Sequence, residues 1–149
     1  MTENVAAPAT ELREAMMALA RQLRRHRPDN GLTLSQLELL GDVNRAGTTT
    51  PAEVAARLQV RVQSLTDSIN ELEGRTLVTR RPDPTDRRRQ LLELTPGGVA
   101  LLDEDRAQRD AWLQDTMREH LSDLETGLLM LAAPVLRKLA DAGKAQSSA

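Results

Sequence analysis

Arg80, Arg81, Arg87, Arg88 and Arg89 fall within one ten-residue stretch, and Arg75 stands just upstream. Against these six guanidinium groups Arg75–Gln90 sets two carboxylates, Asp83 and Asp86, so the stretch is strongly cationic in a chain of net charge −2. A guanidinium keeps its charge at any physiological pH, and its planar fork donates two parallel hydrogen bonds to a phosphate or carboxylate. The chemistry on offer is the gripping of a polyanion rather than bond making. A solvated arginine-rich loop has the same composition, so the weight falls on the elements that would hold these side chains. Leu77–Arg81 and Arg89–Leu94 read as extended runs around Pro82-Asp83-Pro84-Thr85-Asp86. Each proline presets φ, and aspartate side chains accept from nearby backbone amides, so the pattern predicts a hairpin with arginines at its tip.

A helix-turn-helix pattern precedes this hairpin. Thr50-Pro51-Ala52-Glu53 is a capping box with proline at the first helical position. It opens a short helix over Pro51–Leu58, with Val54, Ala55 and Leu58 inward. Gln59-Val60-Arg61 is the turn, and Val62–Arg75 the next helix, with Leu65, Ile69 and Leu72 as its buried stripe. Its opposite side carries Gln63, Ser64, Thr66, Asp67 and Asn70, with Arg61 at its start. Amides, hydroxyls and a carboxylate are the groups that read base edges in a major groove, although any solvated helix face is polar. Helix, turn, polar helix and basic hairpin in that order are more specific than any one part, and double-stranded DNA is the partner they suggest.

Composition narrows the alternatives. The chain has no cysteine, tyrosine or phenylalanine, one tryptophan (Trp112) and two histidines. Thiol chemistry and disulfides are excluded, and neither a paired-carboxylate nor a phosphate-loop motif appears, so no catalytic constellation, metal site or cofactor is expected. His26 and His120 read as surface residues. No apolar run approaches the ~20 residues of a membrane span. No basic-then-apolar leader pattern is present, so a soluble cytoplasmic protein is expected.

The remaining chain reads as helices. Leu12, Met16, Leu19 and Leu23 form one stripe over about Pro8–His26, after a first segment, Met1–Ala7, expected to be disordered. Thr33 and Gln36 cap a helix over Leu34–Arg45 with Leu37, Leu40 and Val43 inward, and Thr48-Thr49 could pair briefly with the hairpin. From Pro96 a long helix runs to about Glu119; its middle, Asp103–Asp110, reads as a solvated rod. Ser122 and Glu125 cap a last helix with Leu124, Leu128, Leu131, Val135 and Leu139 near heptad spacing; Pro134 should kink or split it, and Ala142–Ala149 reads as a frayed tail. The terminal stripes lie outside the helix-turn-helix, and a homodimer is the economical way to bury them. The fold class is therefore mainly α with a small β-hairpin wing: a winged helix-turn-helix lobe at 32–95, and a helical dimerisation region at 8–27 and 99–141. A helical protein-interaction dimer without DNA binding is the alternative. Met16, Met17, Leu40 and Trp112 are candidates for a ligand pocket, with plain core packing as the competing reading.

Leu32–Leu40, Thr50–Leu58, Leu72-Glu73 with Leu77-Val78, and the run Asp83-Pro84…Asp86-Arg87-Arg88…Leu94-Thr95…Gly98 resemble the MarR family of bacterial regulators. The resemblance spans roughly Leu12 to Leu139. It implies a winged helix-turn-helix homodimer on a pseudo-palindromic operator, acting as a transcriptional regulator, most simply a repressor. It implies Arg88 in the minor groove, Asp86 holding the wing tip, the Val62–Arg75 helix in the major groove, and release by a small anionic or phenolic effector. Thr76 stands where the family commonly has glycine before Leu-Val, with Gly74 two residues earlier, so the exit from that helix is expected to close differently. Asp67 stands where a basic residue is common.

Overall fold

The structure, a computed structural model, describes residues 6–147. Its elements run α1 (Ala6–Arg25), α2 (Leu34–Ala46), β1 (Thr48–Thr49), α3 (Pro51–Leu58), α4 (Val62–Gly74), β2 (Val78–Pro82), β3 (Gln90–Leu94), α5 (Pro96–His120) and α6 (Asp123–Ser147). The caps explain most of the boundaries. Thr33 and Thr50 each accept from the backbone N–H three residues on, while Gln36 and Glu53 reach back to the cap N–H. Ser122 and Glu125 exchange the same pair of bonds ahead of α6. None of the described helices is long and apolar enough to cross a membrane.

The chain divides into two compact units. One is Arg24–Gln108; the other gathers the described residues of Met1–Leu23 and Arg109–Ala149. In the first, α2, α3 and α4 close an aliphatic core against an antiparallel sheet of order β1-β3-β2. Leu39, Leu40, Val43, Val54, Ile69, Leu72, Val78 and Leu92 are almost wholly shielded from solvent. Thr48 pairs with Glu93 and Thr49 with Leu92, so the two threonines do form a short strand on the hairpin. A buried Asp42 on α2 accepts three hydrogen bonds from Arg57 of α3 at 2.7–3.1 Å, and Arg57 also donates to Thr49. That fork raises the Arg57 pKa and fixes α3 on α2.

Several sequence expectations are corrected. Asp103–Asp110 is not a uniformly solvated rod. Gly98, Leu102 and Asp105 recur at helical spacing on one face and are buried. The buried Asp105 carboxylate accepts from Arg27 Nε at 3.2 Å, and Arg27 also donates to the Leu32 carbonyl. A carboxylate on an inward face must be paired, and the partner lies 78 positions away in sequence, where periodicity cannot point to it. Pro134 does not split α6. It deprives one carbonyl of its N–H partner while leucine, alanine, arginine and lysine on either side sustain the helix. The expected tail is helical to Ser147, since alanine, lysine and glutamine there are good helix formers, and Ser148 and Ala149 lie outside the described residues. At the other end Ala6 and Ala7 are helical, while Met1–Val5 lie outside the described residues.

The exit from α4 also differs from expectation. Thr76 N–H donates to the Glu73 carbonyl and Leu77 N–H to the Leu72 carbonyl, the paired bonds of a Schellman closure. Thr76 occupies the left-handed position at φ 59° in place of glycine. Its own carbonyl is held by the Thr95 hydroxyl at 2.6 Å. Closure is thus the usual one, achieved with a β-branched residue at a cost of roughly 1–2 kcal/mol. Next to it Gly98 is required: a Cβ there would lie 2.1 Å from the Leu77 carbonyl oxygen.

Candidate nucleic-acid interface

The candidate interface comprises α4 and the β2–β3 hairpin of Arg24–Gln108. In α4, Leu65, Ile69 and Leu72 are buried. This leaves Gln63, Ser64, Thr66, Asp67 and Asn70 exposed, with exposed Arg61 in extended conformation at the N-cap. The Thr66 hydroxyl donates to the Val62 carbonyl at 3.3 Å, so its proton is committed to its own helix and its lone pairs are what it can offer a partner. Arg61 makes no side-chain cap bond.

The hairpin register sorts the wing. Val78, Arg80, Leu92 and Leu94 alternate onto the face that meets the helices; Thr79, Arg81, Leu91 and Glu93 lie on the other. At the tip the Asp83 N–H donates to the Arg89 carbonyl, and Asp83 Oδ1 accepts from the Thr85 N–H and hydroxyl at 2.8 and 2.7 Å. The Thr85 N–H, foremost, lowers the Asp83 pKa. Asp86 Oδ1 accepts from the Arg88 N–H at 3.0 Å, which fixes the last bend of the tip. Arg87 and Arg88 are exposed and have no side-chain hydrogen bond or ion pair among the described residues.

A sequence model of the MarR family matches residues 30–89. An HTH-type transcriptional regulator of Mycobacterium leprae is 35% identical over 141 residues, covering 95% of this chain and 98% of its own length. The chain belongs to the MarR family. The HTH-type transcriptional repressor MdtR of Bacillus subtilis is 32% identical, with 76% of this chain and 71% of the repressor covered. A Pseudomonas aeruginosa protein described as a transcriptional regulator superposes with TM-score 0.84 at 33% identity, covering 94% of this chain and 99% of its own. The fold is also shared with a MarR mutant of E. coli solved with operator DNA, at TM-score 0.61 and 23% identity over 92% of this chain and 99% of that one.

Within this MarR-family fold the wing arginines are not equivalent. Arg75 staples the α1–α2 loop instead, donating to the carbonyls of Asn30 and Gly31. Arg80 points back at α4, where Glu73 accepts from its Nε at 3.0 Å and also from its Nη2, and Asn70 accepts at 2.9 Å. The Arg80 hydrogen bond holds the Glu73 carboxyl below its ordinary pKa. Arg81 donates to Glu93 at 2.8 Å, and Arg89 to Glu53 at 3.2 Å. Glu93 is lowered first by Arg81 and then by Thr48; Glu53 is lowered mainly by the Thr49 hydroxyl and the Thr50 N–H. Sequence reading missed Glu53, Glu73 and Glu93 as partners. Hairpin register was the available signal for Glu93, whereas the packing of α3 and α4 on the sheet decides the other two.

The four residues proposed for a ligand pocket are placed as follows. Leu40 is fully buried in the core of Arg24–Gln108, Met16 and Met17 are exposed on α1, and Trp112 is half-buried on α5. Within Arg24–Gln108 a cleft of about 440 Å³ is lined by Pro28, Asp29, Asn30, Gly97, Ala100, Leu101 and Glu104. Its two carboxylates disfavour an anionic ligand.

Proposed function

We propose that this MarR-family chain is a sequence-specific DNA-binding repressor that acts as a homodimer on a pseudo-palindromic operator. The observation that carries the DNA reading is the pairing of two unneutralised tip arginines, Arg87 and Arg88, with an exposed polar face on α4 in one compact unit. Arg61 and the N-terminal turn of α4 anchor to phosphate, Gln63, Ser64, Thr66 and Asp67 address base edges, and Arg88 enters the minor groove. Asn70, engaged by Arg80, positions the wing against α4. The repressor reading is supported by MdtR, and operator binding by the E. coli MarR complex.

Dimerisation is supported by α6. Leu124, Leu128, Leu131, Val135 and Leu139 repeat near heptad spacing, and each is more than half exposed in the single chain. Two copies related by a two-fold axis would meet half-sites about one helical turn apart, ~34–36 Å.

The test is Arg88→Ala. It should weaken binding to every duplex and reduce the slope of log affinity against log salt by about 0.9 for each phosphate that is no longer neutralised. Gln63→Ala should instead change which operator is preferred. Competition titrations at two salt concentrations read both, and an Arg88→Ala protein with unchanged affinity removes the wing from the mechanism.

A further inference from the structure

We propose that Glu93 and Glu53 act as built-in anion partners for Arg81 and Arg89, keeping both arginines off phosphate and leaving the wing's grip on DNA to Arg87 and Arg88. The proposal rests on the reading that the chain binds duplex DNA. The two pairs have the same construction. Glu93 Oε1 accepts from Arg81 at 2.8 Å and from the Thr48 hydroxyl of β1 at 2.8 Å. Glu53 accepts from Arg89 at 3.2 Å, from the Thr49 hydroxyl at 2.9 Å and from the Thr50 N–H at 3.0 Å. Each carboxylate is therefore held by partners other than the arginine. A fixed acceptor has less rotamer freedom to lose than a mobile surface glutamate, which is why these pairs should outlast ordinary exposed ones.

Both pairs are also reachable by a competitor. The side chains are 47% and 29% exposed for Arg81 and Glu93, and 50% and 49% for Arg89 and Glu53. Arg80 differs, because it lies on the inner face and serves the packing of β2 on α4. Both carboxylates have depressed pKa values, so the clamps stay charged wherever DNA binding is measured. The consequence concerns selectivity. Phosphate contacts strengthen binding to all sequences equally. Neutralising two wing cations internally lowers that uniform term while leaving base contacts from α4 untouched.

A double-mutant cycle tests this on the full-length protein, with anisotropy titrations on a random-sequence duplex over a salt series. Glu93→Gln keeps the shape and can still accept from Thr48. It should bind several-fold tighter at low salt, with a salt slope steeper by about 0.9. Arg81→Gln alone should leave the slope as in the parent, and combining the two should abolish the gain. Glu53→Gln with Arg89→Gln forms an independent cycle should one variant fold poorly; its gain should have the same sign but be smaller, because Asp83 stays 3.9 Å from Arg89. A gain from Glu93→Gln that survives in the Arg81→Gln background would show long-range charge alone and overturn the proposal. So would a shallower slope on Arg81→Gln in the parent. If the parent and all variants ignore duplex DNA alike at low salt, the DNA reading falls and takes the proposal with it.

Discussion

The core of Arg24–Gln108 and the stripe of α6 are made of the same residues, largely leucine and valine at helical spacing, and they end in opposite states. Leu39, Leu40, Val43 and Val54 have no measurable exposure, while Leu124 and Leu131 are 74% and 73% exposed. The difference does not lie in amphipathicity, which both possess. It lies in cover. In the first unit α2, α3, α4 and a three-stranded sheet supply surfaces to one another within 85 residues. Among the described residues the leucines of α6 find no such cover, and the second copy proposed above is what would supply it.

The largest effect should come from removing the stripe. If α6 joins two copies as proposed, Leu128→Asp combined with Leu131→Asp should dissociate them, raising the dissociation constant by at least about four orders of magnitude, since each of the four leucines buried is worth about 1.5–3 kcal/mol. Sedimentation equilibrium should then show a monomer, and hydrogen exchange an Arg24–Gln108 unit that keeps its amide protection; association that persists would break the contrast. Next, Gly98→Ala should strike the self-sufficient unit. Its Cβ would collide with the Leu77 carbonyl, and a loss of about 3 kcal/mol is expected in urea unfolding. Gly127→Ala, with open space around its Cβ, should cost nothing in the same assay if the proposed pairing of copies leaves that space free.

Acid should act more gently on both regions. Glu53, Glu73 and Glu93 have folded pKa values below the ordinary 4.5, so their contribution is complete above that value and is lost as pH falls through the lower, folded ones. Surface pairs contribute about 0.2–1 kcal/mol each, so roughly 1–2 kcal/mol should disappear from the wing unit below about pH 4. Glu125, lowered by Ser122, places the opening of α6 in the same window, and hydrogen exchange should show both loosening together. The smallest change expected is a gain. Thr76→Gly should relieve the left-handed strain at a smaller cost in chain entropy, adding about 0.5–1 kcal/mol to thermal stability.

Much of this architecture is legible in residue order because its signals are local. Thr50-Pro51 with Glu53 marks the start of α3, the 65/69/72 stripe orients α4, and Pro82–Asp86 marks the hairpin tip, each within a few residues. The polar face of α4 follows from its buried face, so Gln63 through Asn70 could be named without coordinates. What stayed hidden depends on separated segments. Asp105 looked like one more charge on a solvated helix until Arg27 came to meet it. Arg75, Arg80, Arg81 and Arg89 looked like one cationic cluster with Arg87 and Arg88. Packing assigns Arg75 to a loop and the other three to carboxylates on α4, β3 and α3.

Residue order by itself determined the periodicities, the caps, the hairpin turn and the concentration of positive charge, because each depends on neighbours a few positions apart. The tertiary structure decided which of those charges still lack a carboxylate. An arginine's availability depends on whether folding brings an acceptor within about 3 Å, a distance that no spacing along the chain encodes.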